Sequence, residues 1–227
     1  VAGFGRTTAS MVNMVLLIVP LMGLTLGALA IASERERGAL AYLMSQPVTA
    51  FEILISKYLG IAAALTSALL VGFGISGLLV VLRGGSSNTG DFLALVGLTI
   101  LLALSSLSIG FLLSAGLRRG ATAIGLAVFL WLVLAFFSDL GLMGTAMTLD
   151  IGVRELLLMA LANPLQVYKL AAILSIKNDL EVLGPAGVYA MRTYGDALLP
   201  ILLALFVAWV VTPFAIGFFI FKRRGAF

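Results

Sequence analysis

Five long apolar stretches constrain the fold of this chain more than any other feature of its sequence. A hydrocarbon core of about 30 Å is crossed by roughly 20 apolar residues in a helix. Stretches long enough for this occupy residues 9–32, 50–82, 92–117, 121–140 and 197–221. The second exceeds one crossing, so its helix is expected to tilt or to project beyond the bilayer. The sequence therefore predicts an all-α, polytopic membrane protein with one transmembrane domain over residues 1–227.

Composition indicates that lipid is the solvent for most of the chain. Hydrophobic residues make up 62% of the sequence and charged residues 11%, against about 45–50% and 25% in soluble domains. The net charge of +4 would favour nucleic acid as a partner of a soluble protein. Here the basic residues follow the apolar stretches, a pattern that orients helices in a membrane. We therefore expect membrane lipid, and no nucleic acid, as a partner.

Residues that could bind metals are scarce, and those present are interpreted mainly as packing residues. Cysteine and histidine are absent, which excludes thiolate and imidazole sites, and no metal site is predicted. The eight methionines offer thioether sulfur, which suits copper(I), but methionine also fills gaps between helices, and we favour packing. Two groups of glycines are expected to allow close helix packing: Gly23 and Gly27, and Gly72, Gly74 and Gly77.

The distribution of basic residues orients the predicted spans. Clusters follow the first, third and fifth spans, at Arg35 and Arg37, at Arg118 and Arg119, and at residues 222–224. The opposite junctions carry both charge signs. By the positive-inside rule the basic junctions are cytoplasmic. The residue at position 1 is valine, and we expect a further helix upstream, which would make six spans and return the N-terminus to the cytoplasm.

The segment 139–196, before the last span, is predicted to lie on the outer side and to contain two short helices, at about 152–162 and 165–178. A sixth visible span over 153–176 is the alternative interpretation. Asn163-Pro164 would interrupt that span, and Lys169 in mid-bilayer would cost about 3 kcal/mol or more. A further crossing would also move the basic residues 222–224 outside. We therefore predict interfacial or re-entrant helices.

A short amphipathic helix is predicted between the first two spans, at about 34–46, on the cytoplasmic side. Ser33 and Glu36 have the spacing of a capping box, as do Thr49 and Glu52 at the start of the second span. Apolar residues follow at helical spacing, at Leu40, Leu43 and Met44, and Pro47 stops the helix. From composition alone such a helix is more often an anchor at the membrane surface.

The same stretch resembles the cytoplasmic signature of ABC-2 type permeases, whose fold is that of type V exporters. The resemblance is carried by Glu34-Arg35, Gly38, Leu40, Leu43, Pro47-Val48-Thr49, Glu52-Ile53-Leu54 and Lys57. It implies that the short helix is a coupling helix, seated in a cleft of a separate ATPase subunit. The residues expected to couple the two subunits are Glu34, Arg35, Arg37, Gly38, Leu40, Leu43, Met44 and Pro47.

The resemblance also implies the rest of the assembly. The chain has no phosphate-binding Gly-x-x-x-x-Gly-Lys-Ser/Thr motif, so ATP and Mg²⁺ are expected on the ATPase, and no cofactor is expected in this chain. A second copy of the permease and a location in the bacterial inner membrane are likewise implied. The chain itself is expected not to be an enzyme.

Two further segments, 5–10 and 163–170, resemble ABC-2 permeases that serve maturation of nitrous oxide reductase. This finer resemblance implies a periplasmic partner and a role in building a copper-sulfur site. The predicted docking residues are Asn163, Pro164, Gln166, Tyr168 and Lys169. Two alternatives stay open: an exporter permease for a drug, lipid or polysaccharide precursor, and a secondary transporter or channel without an ATPase. Few ionisable residues lie within the spans, which disfavours the last.

Overall fold

A computed structural model describes residues 2–82, 89–137, 152–177 and 184–224. Within these ranges the regular structure is entirely helical, which confirms the predicted all-α class. We number the helices in chain order: α1 Ala2–Glu36, α2 Ala39–Met44, α3 Ala50–Leu82, α4 Thr89–Gly116, α5 Gly120–Leu132, α6 Val153–Leu161, α7 Pro164–Lys177, α8 Gly184–Tyr194 and α9 Leu198–Arg224. A π-turn, Val133–Phe137, extends α5, and a 3₁₀ turn, Gly195–Ala197, precedes α9.

The membrane-spanning character of the chain rests on long apolar helices. Four helical segments of the described residues are long and apolar enough to cross a bilayer: Val12–Glu36, Ala50–Leu79, Gly90–Gly116, and Gly187–Arg223, which runs through α8, the 3₁₀ turn and α9. The segment Gly120–Phe136 is apolar but shorter. Each predicted span coincides with a helix, although residues 138–140 of the fourth lie outside the described residues, as do parts of the predicted outer segment.

Helix α4 lies at the centre of the bundle and packs most closely against α1. Cβ atoms added at Gly27 would come 2.5 Å from the Leu107 carbonyl oxygen and 2.9 Å from Gly110 Cα. Near the other end of the contact, Ser114 Oγ accepts hydrogen bonds from the Ile31 and Ala32 amides at 2.9 and 2.8 Å. The predicted packing role of Gly23 and Gly27 is confirmed. Gly72 and Gly74, in contrast, have no neighbour within 4 Å of an added Cβ in this chain.

The two short outer helices are present and meet at a sharp bend. The axes of α6 and α7 differ by 106°. Asn163 lies at the bend, and its Oδ1 accepts a hydrogen bond from the Leu165 amide at 2.9 Å, which caps α7. Pro164 is the first residue of α7, a position where a missing amide hydrogen has no cost. The Asn-Pro pair thus ends one helix and starts the next, as expected for a re-entrant or broken segment. The sequence did not predict α8.

Candidate coupling site

The three basic junctions meet at one end of the bundle, as the predicted orientation requires. Lys57 of α3 forms a salt bridge with Glu34 of α1, and Leu40 of α2 shares a buried cluster with Phe221 of α9. Arg35 Nη1 donates a hydrogen bond of 2.7 Å to the Leu117 carbonyl after α4. The exposed basic residues around this end are Arg37, Arg118, Arg119, Lys222 and Arg223. We refer to it as the basic end.

Three consecutive residues at the end of α1 each bind a different helix. Glu34 pairs with Lys57 of α3. Arg35 Nη1 donates to the carbonyls of Leu117 and Ala115, at 2.7 and 3.4 Å, where a cation also opposes the negative end of the α4 dipole. Glu36 Oε2 accepts from the Gly120 amide at 2.8 Å, where its charge favours the start of α5. These three residues therefore link α1 to α3, α4 and α5, and we call them the joint.

One of the two predicted capping boxes is wrong. Helix α1 does not stop before Ser33 but continues to Glu36, and Ser33 Oγ donates back to the Leu29 carbonyl at 2.6 Å. Glu36 instead binds Gly120. The helix ends because Gly38 adopts a left-handed conformation with φ of 74°, which glycine tolerates best. The helix predicted over 34–46 is therefore the last turn of α1 followed by the six-residue α2.

The second capping box is confirmed. The Glu52 amide donates to Thr49 Oγ1 at 3.2 Å, and the Thr49 amide donates to Glu52 Oε2 at 2.7 Å. These reciprocal bonds satisfy two amides at the start of α3. The connection from α2 into α3 is thereby fixed next to Lys57, which holds the end of α1.

The buried face of α2 differs from the predicted one. Leu40, predicted to face the ATPase, is 0% exposed and packs in the cluster that contains Ile31, Leu54 and Phe221. It anchors α2 to its own bundle, because burial excludes it from contact with another subunit in this conformation. Leu43 is half-buried, while Met44 and Pro47 are exposed as predicted for a contact surface.

The exposed apolar surface includes two residues that the sequence analysis missed. Tyr42 is 70% exposed and Val48 45% exposed. With Met44 and Pro47 they are the larger exposed apolar residues of the segment 42–48, which we call the apolar ridge. Met44 lies four positions from Leu40 and so on the side of α2 away from Tyr42. Tyr42 lies two positions from the buried Leu40 and so on the other side of the helix. The helical spacing could have predicted this, but only once Leu40 was known to face inward. Arg37 and Gly38 are exposed beside the ridge.

The predicted outer docking residues do not form a surface. Asn163 and Gln166 are 6% and 8% exposed, and Tyr168 is 0% exposed, with its hydroxyl 3.1 Å from Thr99 Oγ1 of α4. Pro164 is buried and Lys169 half-buried. The four buried side chains offer no surface to a partner in this conformation and pack within the bundle. Contact of the half-buried Lys169 with a partner stays a prediction. Exposed large apolar residues in the described parts of the outer helices are Val153, Leu158 and Met159 on α6 and Tyr194 on α8.

Comparison with known proteins identifies the family of the chain. The sequence model of the family described as ABC-2 family transporter protein matches residues 5–226. The chain is 27% identical over 224 residues to a probable ABC transporter permease protein NosY of Stutzerimonas stutzeri, covering 96% of this chain and 80% of the relative. It is 25% identical, with the same coverage, to a protein of the same description from Pseudomonas aeruginosa. The chain belongs to the ABC-2 family of transporter permeases.

Proposed function

We propose that this permease subunit is driven by a separate ATPase chain that binds the apolar ridge at the basic end. The observation that carries the proposal is that the exposed ridge follows the joint in the sequence, with only Arg37 and Gly38 between Glu36 and α2. Glu34, Arg35 and Glu36 connect the same short segment to α3, α4 and α5. A displacement of α2 by an ATPase would therefore reach three spans at once. ATP and Mg²⁺ would be held by the ATPase.

The proposed assembly places the basic end in the cytoplasm of a bacterium, with the permease in the inner membrane beside a second copy of itself. Support comes from the exposed Arg37, Arg118, Arg119, Lys222 and Arg223 around this end. The cations at this end outnumber the carboxylates Glu34, Glu36 and Glu52, so its net charge is positive, which would orient an acidic surface of the ATPase as it approaches. Family membership supports an ATPase on another chain.

The exchange Tyr42→Asp tests this proposal. We expect the variant to reach the membrane in normal amounts, because Tyr42 is 70% exposed and no buried contact is lost. Binding to the co-expressed ATPase should weaken about a hundredfold, since a charge would be desolvated without a partner in an apolar contact. Co-purification and titration of the ATPase onto permease in nanodiscs measure the effect.

A matched control for this experiment is Tyr194→Asp, at a tyrosine that is 42% exposed on the outer helix α8, far from the ridge. It adds the same charge to the same protein, and binding of the ATPase should stay as in the parent. Equal affinity of the parent and Tyr42→Asp for the ATPase would refute the ridge as the docking surface. Leu43→Asp is a poorer test, because Leu43 is half-buried and its loss would also disturb packing.

We further propose that the transporter serves maturation of nitrous oxide reductase, together with a periplasmic partner. Support comes from the relatives described as NosY and from the resemblance of residues 5–10 and 163–170. The burial of Asn163 and Tyr168 means that a partner would contact other residues of the outer segment. An exporter of a drug, lipid or polysaccharide precursor is the competing function.

Deletion of the gene separates these functions. If the permease serves maturation, the deleted strain should produce nitrous oxide reductase that lacks its copper-sulfur site and does not reduce nitrous oxide. Absorption spectra of the purified reductase and gas consumption by whole cells measure this. Restoration by the parent gene, but not by the Tyr42→Asp variant, is the expected complementation. A reductase with a normal spectrum in the deleted strain would favour the exporter.

A further inference from the structure

We propose that α5 and its π-turn form a rod that carries displacement from the coupling site to the outer helices, with Glu36 and Asn163 as its two positioning residues. The proposal rests on the proposed function, because it concerns where the movement of the ATPase goes after it reaches the joint. It assigns separate roles to the spans that the joint connects.

The rod is held at both ends by side chains of other elements. At the basic end, the Gly120 amide donates to Glu36 Oε2 at 2.8 Å. At the other end, Asn163 Nδ2 donates to the Leu134 carbonyl at 2.7 Å. The helical rise from Gly120 to Leu134 gives roughly 20 Å between the two contacts, a large part of a hydrocarbon core of about 30 Å.

The inner contact lies next to the proposed ATPase site. Glu36 is the last residue of α1, and the turn at Gly38 joins it directly to α2. Only Arg37 and Gly38 separate Glu36 from the helix that carries Tyr42 and Met44. Because a carboxylate bound to the start of a helix makes a charge-assisted hydrogen bond, a shift of α2 would pull on α5.

The outer contact lies at the bend between α6 and α7. Asn163 uses both ends of its amide: Oδ1 caps α7 at the Leu165 amide, and Nδ2 binds Leu134. Leu134 is within the π-turn Val133–Phe137. Such turns interrupt regular helix geometry and occur often at functional sites. The Asn163 side chain would therefore transmit an axial shift of α5 to the bend between α6 and α7.

The packing between the two contacts favours α5 as the moving element. Its buried residues are Gly120, Ala123 and Ala127, and the two alanines share one apolar cluster with Leu24, Ala28 and Ala32 of α1 and Ile109 of α4. Helix α5 approaches α1 less closely than α4 does, because a Cβ added at Gly120 would lie 3.7 Å from Ser33 Cα. A small shear of α5 along α1 would rearrange the larger Leu130 and Trp131, which pack partly buried against the same cluster. Helix α1 packs instead against α4 with backbone in contact at Gly27 and Gly110. We infer that α1 and α4 stay together while α5 slides.

The test uses the permease with its co-expressed ATPase in nanodiscs and follows single cysteines, since the chain has none of its own. Gln46→Cys reports on the basic end, and Leu158→Cys, 59% exposed on α6, reports on the outer helices. The rate of labelling by a maleimide is measured with and without ATP trapped by vanadate. In the parent we expect the trapped nucleotide to change both rates by about threefold or more.

Four variants examine the rod. Glu36→Ala removes the inner contact, whereas Glu36→Gln keeps an oxygen acceptor for the Gly120 amide. Asn163→Ser keeps an oxygen that can cap α7 but is too short to reach the Leu134 carbonyl. Trp131→Phe is the matched control, because it removes a hydrogen bond of 3.1 Å from α5 to the Leu17 carbonyl but leaves the Glu36 and Asn163 contacts in place.

We expect Glu36→Ala and Asn163→Ser to abolish the nucleotide response at Leu158→Cys while the response at Gln46→Cys persists. Glu36→Gln and Trp131→Phe should keep both responses. An outer response that survives in Glu36→Ala and Asn163→Ser overturns the rod, as does a parent that responds at the basic end alone. If the parent shows no nucleotide response at Gln46→Cys, the result refutes the proposed coupling to an ATPase and not only the rod. Co-purification of each variant with the ATPase verifies that it has folded.

Discussion

Replacing Gly110 with alanine is expected to destabilise the whole helix bundle. An added Cβ would overlap the Leu24 carbonyl oxygen and lie 2.9 Å from Gly27 Cα and 3.0 Å from the Ala28 amide nitrogen. All three are backbone atoms, so no side-chain rotation relieves the clash. Forced separation of α1 and α4 should lower the free energy of unfolding by about 3 kcal/mol or more. Tryptophan fluorescence during SDS titration in mixed micelles measures this.

The matched control for this prediction is Gly72→Ala. Gly72 is also within a long apolar helix, but no atom lies within 4 Å of an added Cβ. Its stability should be unchanged or slightly higher, because alanine favours a helix over glycine by about 0.8–1 kcal/mol. If Gly110→Ala is as stable as this control, the close contact between α1 and α4 does not determine the stability of the bundle.

Apolar length predicted the helices well because the physical requirement is simple. A segment that lies in lipid must satisfy its backbone hydrogen bonds internally, so a long apolar stretch forms a helix whatever its neighbours are. Local sequence signals for the ends and starts of helices were also reliable where no distant group bound the same side chains. Pro47 precedes the Thr49–Glu52 capping box, and Asn163-Pro164 starts α7, as the pattern of residues indicates.

The capping prediction at Ser33 was wrong because a distant group competed for the same side chain. Glu36 has a partner at Gly120, far away in the sequence, and local spacing cannot show this. The apolar stretch before Ser33 also favours continuation of α1, so no new helix begins there. The Ser-x-x-Glu pattern correctly predicted that the Glu36 carboxylate accepts a hydrogen bond from an amide at a helix start. That amide belongs to Gly120 of α5 and not to Ser33.

The faces of helices were the least predictable feature. In a soluble helix, polar residues mark the exposed side, but here both sides of most helices are apolar. The sequence therefore could not show that Leu40 faces the bundle and Tyr42 faces away from it. The same ambiguity applies to Tyr168. Aromatic residues are frequent at interfaces and at membrane boundaries, yet this tyrosine is fully buried against Thr99.

The burial of Leu40 leads to the prediction that Leu40→Ala releases α2 from the bundle. Helix α2 has six residues, too few to be stable alone, and Leu40 is its one buried residue. Truncation of a buried leucine costs about 2–5 kcal/mol. Local opening of α2 should therefore become at least about thirtyfold more frequent. Hydrogen exchange of peptides that cover residues 37–48, measured by mass spectrometry in nanodiscs, reports this opening directly.

The variant Tyr42→Ala distinguishes anchoring from contact on the same helix. It removes a larger side chain than Leu40→Ala does, but one that is 70% exposed, so exchange over residues 37–48 should match that of the parent. Addition of the ATPase should then slow exchange in the parent and much less in Tyr42→Ala, because the ridge has lost its largest residue. Parent-like exchange in Leu40→Ala would mean that Leu40 does not anchor α2, and the original assignment of this leucine to the ATPase contact would be restored.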